Sequence, residues 1–339
     1  MHVKEKVMKL SILMPTYNEE KYIENTVLTI LNSDLDINEY EYELLIIDGN
    51  SEDNTLEILN NLSIKYKNIK ILHNPDRTVP YAMNLGIKKS KGQLVILQGA
   101  HSEYPSDYYS KMIQYHEKLT ADLIGGVLIT QVKTKNKKSE SIKNVLSDKL
   151  GIGNSIFRLG VDEITNVDTV AFGCYKRETF EKYGLYDVRL DRNQDIEYNK
   201  RIVNGGGSIL LVPDLELTYF ARETYSELAS NNYSNGKWNV ITAYCTKSLK
   251  SLSIRHFIPL IFLLSLIIPL LLPSVFTFIY LLSPLSLLLY LIAVIIRSFY
   301  LSTKENSFIY LLLTFAVLHF SYAIGSLTGL IKLNYLFRK

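Results

Sequence analysis

The stretch Asp191-Arg192-Asn193-Gln194-Asp195-Ile196-Glu197-Tyr198-Asn199-Lys200-Arg201 gathers acids, amides and bases into the approach and first turns of an expected helix. Ile196, Ile202 and Val203 are its expected core-facing residues, and Gly205-Gly206-Gly207 its stop. Asp195 then falls near the helix N-terminus, where free N–H groups and the helix dipole favour an ionised carboxylate. Such a group either caps the helix or takes a proton from a substrate hydroxyl. Three more polar clusters could meet a ligand: Pro15-Thr16-Tyr17-Asn18-Glu19-Glu20, Asp48-Gly49-Asn50-Ser51-Glu52-Asp53-Asn54-Thr55 and Gly99-Ala100-His101-Ser102-Glu103. Asp48 can accept from a base or ribose edge, or serve as a plain turn residue before Gly49.

Elements must bring these clusters together. Apolar runs predict strands over 9–14, 42–47, 69–72 and 93–97, and helices over 21–32, 55–66 and 81–90 between or beside them. Near-continuous apolar strands such as Leu44-Leu45-Ile46-Ile47 suit a parallel sheet buried on both faces. Strands alternating with helices imply a doubly wound α/β sheet, whose ligands sit at the carboxyl ends of the strands. All three clusters lie at such ends. Another apolar strand is expected over 208–212, closed by Pro213-Asp214.

Several classes are disfavoured. The first strand-to-helix turn lacks G-x-G-x-x-G, and no G-x-x-x-x-G-K-[ST] occurs, so neither a dehydrogenase-type dinucleotide site nor a Walker phosphate loop is expected. Gly151-Ile152-Gly153 has no strand–turn–helix context around it. Net charge is only +3 over 339 residues, which does not call for nucleic acid. Two cysteines, Cys174 and Cys245, make no disulfide framework and read as core thiols.

Residues 11–20 and 47–55 resemble the opening of family 2 glycosyltransferases with the GT-A fold, a doubly wound, mostly parallel sheet with helices on both faces. Gln194-Asp195-Ile196-Glu197-Tyr198-Asn199-Lys200-Arg201 resembles that family's E-D-x-[DE]-x-x-x-R segment, with Gln194 for the first acid. Val167-Asp168-Thr169-Val170-Ala171-Phe172-Gly173-Cys174-Tyr175-Lys176-Arg177 is similar to the succinoglycan-biosynthesis glucosyltransferases of the ExoA type. The resemblance covers about residues 10–238. It implies an inverting transfer with Asp195 as the base, Thr16, Glu19, Asp48 and Asn84 as contacts to a nucleotide diphosphate sugar such as a UDP-sugar, and a lipid-linked saccharide acceptor. Arg77 meets a phosphate or pairs with a nearby acid. For Arg201 the salt bridge to Glu197 at i,i+4 is the favoured reading. Glu197, Arg158 and Trp238 are assigned to the acceptor side or the membrane interface, with a core position the other reading of Trp238. An Mg²⁺ or Mn²⁺ ion is implied too, but Gly99 stands where the family's acid belongs, leaving His101 of the usual pair. Glu103 or Asp107 supplying the missing oxygen, weak metal binding and lost activity all stay open.

The tail poses a separate problem. Residues 257–296 are almost wholly apolar and uncharged, enough for two spans of about twenty residues each, over 257–275 and 278–296. A third apolar segment covers 308–331 and contains His319, which is expected to pack against a neighbour. Residues 1–250 are therefore expected as a cytosolic domain and 251–339 as an anchor in the cytoplasmic membrane, in contact with its lipids. Three full spans would put the basic C-terminus outside, against the positive-inside rule, so the third segment crosses against that rule or is re-entrant or interfacial. The lysine-rich insertion 131–149 is expected as a solvated loop. The function expected is surface-polysaccharide assembly. The alternatives are an impaired homologue that scaffolds an assembly complex and, disfavoured by the tail, a sugar nucleotidyltransferase.

Overall fold

The structure, a computed structural model, describes residues 8–35, 41–99, 102–272 and 279–336. Two compact units divide the chain: Met1–Ile129 with Gly160–Tyr219, and Thr130–Leu159 with Phe220–Lys339.

The first unit is built on the apolar runs. In β1 (Met8–Thr16), Leu10, Ile12, Leu13 and Met14 are sealed from water, as are Leu44, Leu45, Ile46 and Ile47 in β2 (Glu41–Asp48). With β3 (Ile69–His73) and β4 (Leu94–Leu97) they form a parallel set in the order β3-β2-β1-β4. Helices α1 (Ile23–Leu31), α2 (Thr55–Lys65) and α3 (Val79–Lys89) belong to this part of the chain. Strand order turns back between β1 and β4, and the crevice at such a reversal is where α/β sheets bind ligands. Glu43 sits inside this layer and is almost fully buried. It accepts from Ser11 Oγ at 2.8 Å and the Lys91 N–H at 2.6 Å, and pairs with Lys70 at 2.6 Å.

Beyond β4 the sheet becomes mixed. After β5 (Ser102–Glu103) and α4 (Tyr108–Lys118) come β6 (Leu123–Gln131), β7 (Thr165–Asn166), β8 (Cys174–Lys176) and β9 (Ile209–Phe220). β8 runs antiparallel to both β4 and β6, β9 lies beyond β6, and β7 pairs with β9. β9 runs through Pro213, so the proline does not end the strand. Helices α8 (Arg177–Tyr183) and α9 (Gln194–Asn204) complete the unit.

The second unit holds α5 (Lys137–Leu146), α6 (Lys149–Ile152), α7 (Ile156–Leu159) and α10 (Tyr225–Cys245), followed by α11 (Ile258–Leu271), α12 (Leu282–Leu301) and α13 (Phe308–Leu336). Among the described residues three helical stretches, Ile254–Leu271, Ile279–Leu301 and Phe308–Leu333, are long and apolar enough to cross a membrane. The break expected near Pro273 lies partly outside the described residues, and Pro284 stands inside α12. The insertion differs from expectation: it is no solvated loop. Asn136 and Ser139 form a capping box that starts α5, and Ile142 and Val145 join a buried cluster with Leu311, Phe315 and Leu318 of α13. The lysines hid a helix whose apolar positions recur at helical spacing.

Candidate functional site

At the carboxyl ends of β1 and β2 two loops interlock. Thr16 lies opposite Asp48 in the strand register, and its carbonyl accepts the Gly49 N–H at 2.8 Å. Asp48 is fully buried. Its carboxylate accepts the N–H groups of Asn50 at 2.9 Å and Ser51 at 3.0 Å and the Ser51 hydroxyl at 2.6 Å, a turn-stabilising arrangement. The backbone N–H of Glu19 donates to Thr55 Oγ1 at 2.8 Å, and Asn18 Oδ1 accepts from the Glu52 N–H at 2.8 Å. Arg77 stands beside Gly49, its guanidinium 3.1 Å from Glu52 and over the Tyr17 ring. Thr16, Asp48, Gly49 and Arg77 thus meet in one place. Asn84 does something else: its amide accepts the Tyr186 N–H at 2.9 Å and donates to the Tyr186 carbonyl at 2.8 Å, clamping that residue's backbone.

A second candidate cluster is carried by α9. Its N-cap is Asn193, in the left-handed region at φ 60°, so Asp195 is a first-turn residue rather than the cap. Asp195 is exposed, and its carboxylate accepts the Ile196 N–H at 2.9 Å. Desolvation by the protein packed around it raises its pKa above the ordinary aspartate value, while backbone hydrogen bonds act the other way. Two residues on, Glu197 is buried and makes a bidentate pair with Arg201, whose guanidinium also donates to the carbonyls of Tyr183 at 2.9 Å and Leu185 at 2.7 Å. Arg201 thus makes the i,i+4 salt bridge to Glu197 that its spacing predicts.

The core face of α9 differs from expectation. Ile202 is sealed, but Val203 is exposed and Ile196 only half-buried; Tyr198 and Asn199 are buried instead. Asn199 donates to Thr169 Oγ1 at 2.8 Å and the Val170 carbonyl at 3.2 Å, and accepts from Tyr175 Oη at 3.1 Å. Tyr186 Oη bonds to Tyr175 Oη at 3.2 Å. A buried chain therefore runs from Asn84 through Tyr186 and Tyr175 to Asn199, one turn behind Asp195. Burial raises both phenols, and the Asp195 charge adds to the rise. Sequence reading did not single out Tyr186 or give Tyr175 and Asn199 a role. The available signal was Asn199 itself, an amide four residues after Asp195 on a helix that must bury one face.

By the resemblance, Gly99 stands where such enzymes carry a metal-binding acid. A Cβ there would stand 2.9 Å from Phe172 Cε1, and Phe172 holds a left-handed backbone at φ 49°. An aromatic residue rarely adopts that conformation, and nothing in the sequence announces it. His101, the expected metal contact, lies outside the described residues. Among the described residues no three His, Cys, Asp or Glu side chains are arranged to hold a metal ion. Arg158, on α7, and Trp238, half-buried on α10, belong to the second unit.

The chain is 29% identical over 348 aligned positions, covering 97% of itself and 99% of the relative, to a dolichyl N-acetyl-α-D-glucosaminyl phosphate 3-β-D-2,3-diacetamido-2,3-dideoxy-β-D-glucuronosyltransferase of Methanococcus voltae. It is 22% identical to glycosyltransferase AglE of Haloferax volcanii, over 68% of this chain and 73% of that protein. Its fold is similar to that of mannosyltransferase PcManGT from Pyrobaculum calidifontis, solved with GDP-Man and Mn²⁺, with a TM-score of 0.61 at 14% identity over 96% of this chain and 87% of that one. Residues 11–184 match the model of glycosyl transferase family 2, so by sequence and by its GT-A fold this chain belongs to that family.

Proposed function

We propose that the chain transfers a hexose, with inversion, from a nucleotide diphosphate sugar to a lipid-linked saccharide at the cytoplasmic membrane. The observation that carries this is Asp195, an exposed carboxylate with a raised pKa in the first turn of α9. In the step proposed, the acceptor oxygen attacks the anomeric carbon, and the bond from that carbon to the diphosphate breaks with its electron pair leaving on phosphate. The hydroxyl proton passes to Asp195. Inversion follows from a single displacement. The loops carrying Thr16, Glu19, Asp48 and Arg77 receive the nucleotide, a UDP-sugar being the leading candidate, and Asn84 supports the site through Tyr186.

The lipid-linked acceptor is supported by the Methanococcus voltae relative, whose name describes transfer to a dolichyl phosphate saccharide and whose similarity runs the length of both chains. The three apolar helices support membrane attachment. Residues 1–250 are proposed as the cytosolic part, Arg158, Glu197 and Trp238 as acceptor-side or interface residues, and exopolysaccharide or capsule assembly as the setting. A second reading, a homologue that binds nucleotide sugar or glycolipid and scaffolds an assembly complex, is favoured by Gly99 at the acid's position.

The test is transfer by the full chain in lipid, with labelled nucleotide sugars and a glycolipid extract. Asp195→Asn is expected to lower transfer by about 10²- to 10⁴-fold, the usual contribution of a positioned base, with donor binding retained. An Asn variant as fast as the wild type rejects the base assignment, and donor binding without transfer by the wild type supports the scaffold.

A further inference from the structure

The three apolar helices do not share one environment. α12 exposes most of its length, with Leu282, Leu285, Leu288, Leu289, Ile292 and Ile296 among its exposed residues, while Val294 and Ser298 are buried and Tyr290 packs on Phe262 of α11 and on His319 and Phe320 of α13. α13 is different, because α10 runs alongside it. Tyr225 Oη donates to the Tyr310 carbonyl at 3.0 Å, and Ser326 Oγ donates to the Gly236 carbonyl at 3.1 Å. Gly236 lies against the Tyr322 carbonyl, Gly325 against that of Tyr233 and Gly329 against that of Lys237. These contacts advance together from Tyr225–Tyr310 to Lys237–Gly329, so the two helices are parallel neighbours along about 18 Å of α10. The glycines let the backbones touch.

That pairing sets the depth of α13. A helix crossing the bilayer beside α10 would carry Glu227, Asn231, Asn232, Asn235, Lys237 and Asn239 into the hydrocarbon with it. Charged and amide side chains at that depth are strongly disfavoured. The N-terminal half of α13 has a second polar companion. α5, which carries Lys137, Lys138, Glu140 and Lys143, packs on Leu311, Phe315 and Leu318, and the Ser307 N–H donates to Ser141 Oγ at 3.3 Å. His319 Nε2 lies 2.9 Å from the Leu150 carbonyl. Near the end of α12, Arg297 pairs with the buried carboxylate of Asp148, which marks where that helix leaves the hydrocarbon. What α13 leaves uncovered is a stripe at Ile309, Leu313, Ile324 and Ile331, opposite its covered face at Leu311, Phe315, Leu318 and Ser326.

We infer that α13 does not cross the bilayer: it lies along the membrane surface as the partner of α10, its apolar stripe turned into the lipid. Only the α11–α12 hairpin enters the hydrocarbon. Arg255, Arg297, Lys304 and Lys332 then stand on one side, which satisfies the positive-inside rule that three full spans would violate. The inference rests on the membrane-bound reading proposed above.

The experiment is single-cysteine labelling of the full chain, in a Cys174→Ser, Cys245→Ser background, in sealed inverted inner-membrane vesicles of an expressing bacterium. Ile64→Cys, Lys304→Cys and Lys332→Cys are treated with an impermeant maleimide before and after detergent. All three are expected to label fully without detergent. Protection of Lys332→Cys while Lys304→Cys labels, or of both while Ile64→Cys labels, overturns the inference. A protease-cleavable tag after Lys339 gives an independent reading, with cleavage from the outside of the same vesicles expected and protection overturning. Loss of the chain from the vesicles in an alkaline carbonate wash would reject the membrane reading itself, an outcome distinct from opposite-side labelling.

Discussion

Asp195 is held under two opposed influences, and its chemistry follows from their balance. Desolvation favours the protonated acid, and backbone N–H groups of the first helical turn favour the anion; desolvation prevails. A group whose folded pKa is raised contributes stability below its unfolded value and loses it as pH rises through the folded value. At neutral pH the ionised carboxylate is therefore a cost to folding, and Asp195→Asn is expected to melt no lower than the wild type at pH 7 while losing transfer. The acid limb of kcat/KM is expected above the ordinary value of 3.8 and absent from the residual activity of the Asn variant. A lower melting temperature for Asp195→Asn would return the residue to a purely structural role. Asn199 acts one turn behind. Asn199→Ala strands the Tyr175 hydroxyl, Thr169 and the Val170 carbonyl in the core, at a cost of about 1–3 kcal/mol. As a proposed positioning residue one turn from Asp195 on α9, it is expected to lower kcat with donor KM little changed. A rise in donor KM at constant kcat would refute that role.

Among the elements, the turn after β4 and the segment before β8 are matched to each other. Gly99 has no side chain, and the Phe172 ring stands where one would go. Phe172 holds its left-handed backbone at a cost of about 1–3 kcal/mol, so the surrounding structure must impose it. Gly99→Asp alone is expected to lower stability by about 1–3 kcal/mol through overpacking, and Gly99→Asp with Phe172→Ala to recover part of that loss. Thermal melts of the two variants, with and without Mn²⁺ and chelator, check this. Equal melting temperatures for the single and double variants would show that the ring does not occupy the acid's place. α9 shows the same interdependence: Lys200 reaches Asp168 at 3.0 Å, Asn199 reaches Thr169, and Arg201 reaches Tyr183 and Leu185. One helix carrying the proposed base is tied to two separate stretches of chain.

At the scale of the whole molecule, the tail bears on where the proposed transfer takes place. A lipid-borne acceptor is confined to the membrane, so an enzyme anchored there meets it in two dimensions rather than three. The α11–α12 hairpin exposes Ile258, Ile261, Leu270, Leu271 and most of α12, an apolar surface far larger than water tolerates on a monomer. The full chain is accordingly expected to stay with vesicles through high salt and alkaline carbonate. Release by salt alone would mean that charge, at a net of only +3, does the holding.

The sequence by itself determined the parallel half of the sheet. Runs such as Leu44-Leu45-Ile46-Ile47 can be satisfied only between two covered faces, and the strand-end clusters followed from that topology. The positions of the strand-end loops, and of Asp195 in the first turn of α9, were legible because their motifs are local and contiguous. Tertiary structure alone decided what depends on distant partners. Asn84 meets Tyr186, Tyr175 meets Asn199, and Gly99 faces Phe172 across separations that no local pattern encodes. The charged insertion read as solvent-facing because lysines dominate it, yet its apolar positions needed only α13 to become a core. α13 in turn has the length and hydropathy of a span, and its neighbours α10 and α5 determine whether lipid can surround it. Burial belongs to a pair of surfaces, and a sequence shows only one of them.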